Sequence, residues 1–215
     1  MISDIPSKDD MYNALADRHG SDFQKKMQNS TVAVCGLGGL GSNIAIALAR
    51  AGIGRLLIFD FDKVDISNLN RQQYFASQIG EFKTKALADI LNRVNPYCHV
   101  ETHCVRLTED NIPDLLTDAE VICEAFDAAE QKAMLVNRVL ESLPEKFIIS
   151  GSGMAGTETA DRIKTRRITK HFFVCGDETS DTANNGSLVA ARVMVCAGHQ
   201  ALTAIKIITE NMEDM

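Results

Sequence analysis

The sequence predicts an α/β fold: a mostly parallel sheet with helices on both faces. Three observations carry this. Short continuous apolar runs, such as Arg55–Phe59, have the character of strands buried on both faces, and they alternate with stretches of helical periodicity. The first run, Thr31 to Cys35, meets Gly36, Gly38, Gly39 and Gly41 in quick succession, and Ser42–Arg50 follows with the Ala, Leu and Ile of a packed helix. The second run then ends at Asp60-Phe61-Asp62, about twenty residues past the glycines, where a Rossmann-like fold places a ribose-hydroxyl acceptor.

Composition narrows the function classes. The 215 residues suffice for one α/β domain with a small appendage, and the formal charge of −7 argues against a nucleic-acid-binding surface. No uncharged apolar run reaches the length of a membrane span, and the N-terminus lacks the apolar stretch of a signal peptide. Six cysteines lie scattered at 35, 98, 104, 123, 175 and 196, with no C-x-x-C pair. That pattern reads as reduced thiols and core filler, so a cytoplasmic protein without a zinc site is expected.

In chain order, residues 7–30 read as two short amphipathic helices broken at His19-Gly20, an N-terminal arm over 1–29. Residues 30–150 form the nucleotide-binding unit. After the second strand comes the polar stretch Ser67-Asn68-Leu69-Asn70-Arg71-Gln72, then Gly80-Glu81-Phe82-Lys83 opening a helix from Thr84 to Asn95. His99 to Val105 alternates as a strand, on which His99 and His103 stand about 13 Å apart, too far to share a metal. Residues 110–118 make a short helix, Glu120–Phe126 a buried strand running into Asp127, Ala129–Leu143 a helix, and Lys146–Ser150 a further strand. Over 151–215, Ile163–Thr169 and His171–Val174 read as antiparallel strands, Gly176–Gly186 as a polar loop, and Leu188–Ile208 as a long helix, buried or facing a subunit. These belong to the same compact domain as a small C-terminal extension.

The chemistry gathers on the glycine turn. Glycine lets backbone approach a phosphate closely, and the N–H groups at the helix start face the anion. A G-x-G-x-x-G match alone suits many dinucleotide oxidoreductases, and an NAD(P)-dependent enzyme is the alternative reading. Arg71 and Lys83 favour ATP, because two fixed cations suit a triphosphate whose departing pyrophosphate gathers charge. Asp60 and Asp127 both fall at strand C-terminal ends, the edge at which open α/β sheets bind ligands.

Taken in order, G-L-G-G-L-G-S, A-G-I-G-R-L-L-I-F-D-F-D, S-N-L-N-R-Q and G-E-F-K resemble the ThiF/MoeB/HesA family of ATP-dependent activating enzymes over roughly residues 30–130. The short length and the ending V-C-G-D … A-A-R-V … C-A-G-H-Q resemble a compact ThiF-type branch. The resemblance implies adenylation of the C-terminal glycine of a small ubiquitin-fold sulfur carrier ending in Gly-Gly, ThiS in thiamine biosynthesis, or a carrier such as that of molybdopterin synthesis. It implies that Gly36, Gly38, Gly39 and Gly41 form the nucleotide loop, that Asp60 holds the ribose with Asp62 also at the nucleotide, and that Asn68, Arg71 and Lys83 engage phosphates. Asp127 would organise magnesium, although Ala128 stands where the family usually has Asn. It further implies a homodimer, with Arg18 as the counterpart of a partner-supplied arginine and Cys175 as the counterpart of a crossover-loop cysteine. An ATP-binding scaffold without catalysis is a third reading, suggested by Ala128 and the compact tail.

Overall fold

The computed structural model describes residues 5–210. Seven strands form one sheet: β1 (Thr31–Cys35), β2 (Arg55–Phe59), β3 (His99–His103), β4 (Val121–Glu124), β5 (Phe147–Gly151), β6 (Lys164–Arg167) and β7 (Phe172–Gly176). Their order is β3-β2-β1-β4-β5-β7-β6. All neighbours are parallel except β6, which runs antiparallel to β7.

The expected antiparallel pair at the C-terminal end therefore extends the main sheet, because β7 pairs parallel with β5 and carries β6 beside it. Strand β6 closes the edge with Lys164, Arg166 and Arg167, charged side chains of the kind that discourage further strand pairing. Central strands are apolar and buried along nearly their whole length, as expected where both faces are covered.

The helices are α1 (Lys8–His19), α2 (Ser21–Asn29), α3 (Gly39–Arg50), α4 (Lys83–Val94), α5 (Ile112–Leu116), α6 (Ala129–Ser142), α7 (Thr182–Asn185) and α8 (Ala190–Thr209). One core layer joins the sheet to α3, α4 and α8 through Ile44, Leu48, Leu87, Val193 and Ala204. The opposite layer joins it to α5 and α6 through Leu116, Leu135 and Val139. Helix α8, apolar nearly all round in sequence, lies in the first layer, with Met194 and Leu202 left on its exposed side.

The predicted break at Gly20 is real, its φ of 95° being the left-handed backbone that glycine tolerates. Helix α1 buries none of its residues. A Ser7–Asp10 capping box starts it, and the Tyr97 hydroxyl donates to the Pro6 carbonyl oxygen at 2.6 Å, tying the arm to the domain. The loop read over Gly176–Gly186 contains α7, which Asp181 caps by accepting from Asn184 N–H. The strand expected over Glu120–Phe126 stops at Glu124, which leaves Asp127 on the turn before α6.

Candidate active site

Strand β1 connects onward to β2 on one side and has β4 on the other, so the chain direction switches between β1 and β4. A crevice opens at the strand C-termini at such a switch point. A cleft of about 760 Å³ lies there, lined by Gly36, Gly38 and Gly39, by Asp60, Asp62, Asn68, Arg71 and Lys83, and by Asp127. Most side chains singled out in the sequence thus share one wall or another of one cavity.

Local structure explains each position. Gly36 leaves β1 at φ 92°, with its N–H donating to the Phe59 carbonyl oxygen at 2.8 Å. A Cβ there would lie 2.9 Å from the Ala125 carbonyl oxygen, so the close packing of the loop on β4 needs glycine. Gly38 caps α3 without any side-chain hydrogen bond, which leaves the helix N-terminus open to an anion. Asp60 turns back onto this loop, accepting from Leu37 N–H and from Asp62 N–H, each at 2.8 Å. Burial raises its carboxyl above the ordinary value, against the pull of Lys83 and of those two N–H groups.

Lys83 is the least solvated of the predicted cations. Its side chain is 8% exposed, and Nζ stands 3.1 Å from Asp62 and 3.8 Å from Asp60. Its N–H donates to the Asp62 carbonyl oxygen at 2.9 Å, and the neighbouring Phe82 bridges Lys63, which fixes where α4 begins. Arg71 is half-buried, and its guanidinium donates to the Asn70 side chain at 2.8 Å and to the Ser67 carbonyl oxygen. Asn68 accepts from Asp65 N–H, closing the short helical turn that presents Arg71. Asp127 is exposed in the cleft and makes no hydrogen bond or ion pair with the described residues. Such a hard, unengaged carboxylate suits magnesium shared with phosphate oxygens.

Three expected site residues lie elsewhere. Gly41 is buried under the loop, where a Cβ would sit 1.8 Å from the Gly36 carbonyl oxygen; its role is packing, and it does not line the cleft. Arg18, expected to act from a partner subunit, is exposed on α1 and does not line this chain's own cleft. Cys175 is wholly buried in β7 beside Thr165, and burial pushes its thiol above the ordinary value, which disfavours the thiolate that a nucleophile requires. Cys104 is the exposed cysteine among the six.

Sequence reasoning missed three further features. Gln72 lines the cleft, 8% exposed, with a buried Oε1 that has no partner, an orphan a polar ligand would satisfy. Its position next to Arg71 was the available signal. Glu124, fully buried at the end of β4, pairs with Lys132 of α6 across the floor of the cleft. Arg192 of α8 forms a buried ion pair with Asp177 at 2.5 Å and also donates to the Glu158 and Thr159 carbonyl oxygens. Those contacts clamp the loops around 152–162 and 177–189, which supply Ser152, Ser180 and Leu188 to the cleft wall.

Burial alone would raise the Asp177 carboxyl, but the N–H groups of Ser180 and Thr179, the Ser180 hydroxyl and Arg192 outweigh it and hold it well below its ordinary value of 3.8. A carboxyl lowered in the folded state stabilises fully above its unfolded value, and that stabilisation disappears as pH falls through the folded one. Asp177→Asn should therefore be about 3 kcal/mol less stable near neutral pH, where it breaks the buried pair. Its deficit should narrow as pH drops below about 4. Urea midpoints measured across that range check this; a pH-independent deficit counts against the assignment.

The sequence pattern of the ThiF family matches residues 12–215. The adenylyltransferase and sulfurtransferase MOCS3 of Culex quinquefasciatus is 32% identical over 197 residues, which cover 89% of this chain and 44% of that protein. Ubiquitin-like modifier-activating enzyme 5 of Caenorhabditis elegans is 45% identical over 84 residues, 39% of this chain and 20% of that protein. The chain thus spans less than half the length of these relatives. Among solved structures, the E. coli tRNA N6-threonylcarbamoyladenosine dehydratase TcdA in complex with ATP superposes with a TM-score of 0.83 at 21% identity, covering 95% of this chain and 96% of that one. That likeness speaks for the fold. With the family pattern running through nearly the whole chain, and the glycine turn, Asp60, Arg71 and Lys83 gathered in one cleft, this protein belongs to the ThiF family.

Proposed function

We propose that this protein is an adenylyltransferase: it transfers AMP from ATP to the C-terminal glycine carboxylate of a small ubiquitin-fold sulfur carrier of the ThiS type, in thiamine biosynthesis. One observation carries the reading. A single cleft gathers a glycine turn at an open helix N-terminus, two fixed cations and an unengaged carboxylate. The names of the relatives, an adenylyltransferase and a ubiquitin-like modifier-activating enzyme, support the reaction class and the kind of partner.

In this reaction a carboxylate oxygen of the carrier bonds to the α-phosphorus, the bond from that phosphorus to the bridging oxygen breaks, and pyrophosphate leaves with the electron pair. No covalent intermediate on the protein is needed, so catalysis is positioning and charge stabilisation. Gly36, Gly38 and Gly39 would admit the phosphates to the start of α3. Asp60 and Asp62 would mark the ribose end, and Asp60 also anchors the loop through Leu37. Asn68, Arg71 and Lys83 would meet the leaving pyrophosphate, with a phosphate oxygen competing against Asp62 for Lys83. Asp127 would hold magnesium, which neutralises phosphate charge when bound. A homodimer belongs to the same reading; between β2 and α4, Ile66, Phe75, Ile79 and Phe82 leave large apolar surfaces exposed.

ATP–pyrophosphate exchange, measured with and without a ThiS-type carrier ending in Gly-Gly, tests the proposal. Exchange that requires the carrier is expected. Binding of NADH together with no exchange for any carrier would sink it.

A further inference from the structure

Lys132 has no part in the assignments above, yet it lines the cleft. It comes from α6 and its side chain is 22% exposed. Two of its N–H groups go to Glu124, at 3.0 and 2.9 Å. An ammonium has three donors, so one is left for the cleft.

Glu124 is held as tightly as a carboxylate can be. Oε1 accepts from Phe126 N–H at 2.7 Å, and Oε2 accepts from the Ser150 hydroxyl at 2.5 Å. With both lysine contacts, all four of its acceptor positions are used. The carboxylate is 0% exposed, and a buried charge this well partnered fixes the position of its cation. Three parts of the cleft wall are thereby locked together: the turn carrying Asp127, the first turns of α6, and the end of β5.

The placement of Lys132 suggests its use. Arg71 and Lys83 belong to the segment that packs, with α3, α4 and α8, on one face of the sheet, whereas α6 packs on the other. Of the charged side chains lining the cleft, Asp60 and Asp62 follow β2, Arg71 lies beside Gly39 at the start of α3, Lys83 opens α4 and Arg106 follows β3, whereas Asp127 and Lys132 follow β4 and Asp181 caps α7. Among the described lining residues, Lys132 is thus the cation contributed by the chain from β4 onward. The same later part of the chain also lines the cleft with Gly151, Ser152, Gly153, Ser180 and Thr182, alongside Phe126, Met154 and Leu188. In phosphoryl and nucleotidyl transfer the attacking and leaving oxygens stand roughly in line, on opposite sides of the phosphorus. Cations that receive pyrophosphate on one side call for a separate cation to hold the attacking carboxylate on the other.

We infer that Lys132, fixed by Glu124, is the group that binds the C-terminal carboxylate of the acyl substrate opposite the pyrophosphate cations. This rests on the adenylation reading. It assigns to Lys132 a contact made with the substrate and to Glu124 the role of positioning it.

The test compares a ThiS-type carrier bearing a free Gly-Gly carboxylate with the same carrier ending in a Gly-Gly carboxamide. Wild-type protein should bind the carboxylate form about tenfold more tightly, the worth of one charge-assisted hydrogen bond. Lys132→Met should lose that preference and raise the KM for carrier in exchange about tenfold, with ATP affinity unchanged. Lys132→Arg should restore most of it. Because Lys132→Met strands the buried Glu124, the double variant Lys132→Met/Glu124→Gln, which removes both charges, keeps the test valid if the single variant fails to fold. A wild-type protein that does not prefer carboxylate overturns the assignment, as does a double variant with wild-type preference and KM. A protein that prefers carboxylate yet catalyses no exchange overturns the adenylation reading and leaves carboxylate binding standing.

Discussion

Arg71→Ala should lower carrier-dependent ATP–pyrophosphate exchange by about 10²–10³-fold, the usual cost of removing one preorganised group facing developing charge. The fold should survive, because the side-chain hydrogen bonds lost are local ones to Ser67 and Asn70 on a half-exposed turn. Asp127→Ala should behave in the same way, since Asp127 is exposed and bonded to none of the described residues. Lys83→Met separates two effects. It should lose exchange to a similar degree and also lose stability, because Lys83 lies between Asp60 and Asp62 and its removal leaves the buried Asp60 carboxylate without a cation. Exchange rates and thermal midpoints of the three variants decide the matter. Wild-type exchange in Arg71→Ala or Asp127→Ala would show that this cleft does not perform the reaction.

Gly41→Ala should destabilise the protein by about 3 kcal/mol or more, at the upper end for overpacking, because the new Cβ would meet backbone. It would stand 1.8 Å from the Gly36 carbonyl oxygen, so either the nucleotide loop or the start of α3 must move. For a chain of this length that corresponds to a thermal midpoint lower by about 6–12 °C. Gly198→Ala provides the control: exposed in the interior of α8, it has nothing near its would-be Cβ. It should gain about 0.5–1 kcal/mol, as expected when a helical glycine acquires a methyl group without strain. Equal midpoints for the two variants would refute this account of the loop.

The two variants also show how far sequence reaches. A run of glycines after an apolar strand announces a close approach of backbone, and four of them were read alike. Only the packing separates Gly36, Gly38 and Gly39, which border the cleft, from Gly41, which admits a carbonyl oxygen beneath it. The strands were legible because burial on both faces demands continuous apolar runs, and that demand is local. Their ends were less so: Glu124 reads as strand interior, and its charge is tolerable there only because Lys132, Ser150 and Phe126 N–H converge on it.

What the sequence determined by itself was the order of elements, the family resemblance, and the set of side chains with phosphate chemistry: Asp60, Asn68, Arg71, Lys83 and Asp127. Each depends on residue type and short spacing, which the chain states directly. What the tertiary structure decided was which groups can act. It buried Cys175 and paired β7 with β5. It also joined Glu124 to Lys132, and Asp177 to Arg192, across gaps of eight and fifteen positions. Those pairings depend on desolvation and on the meeting of separate elements, and neither is a property of any one stretch of chain.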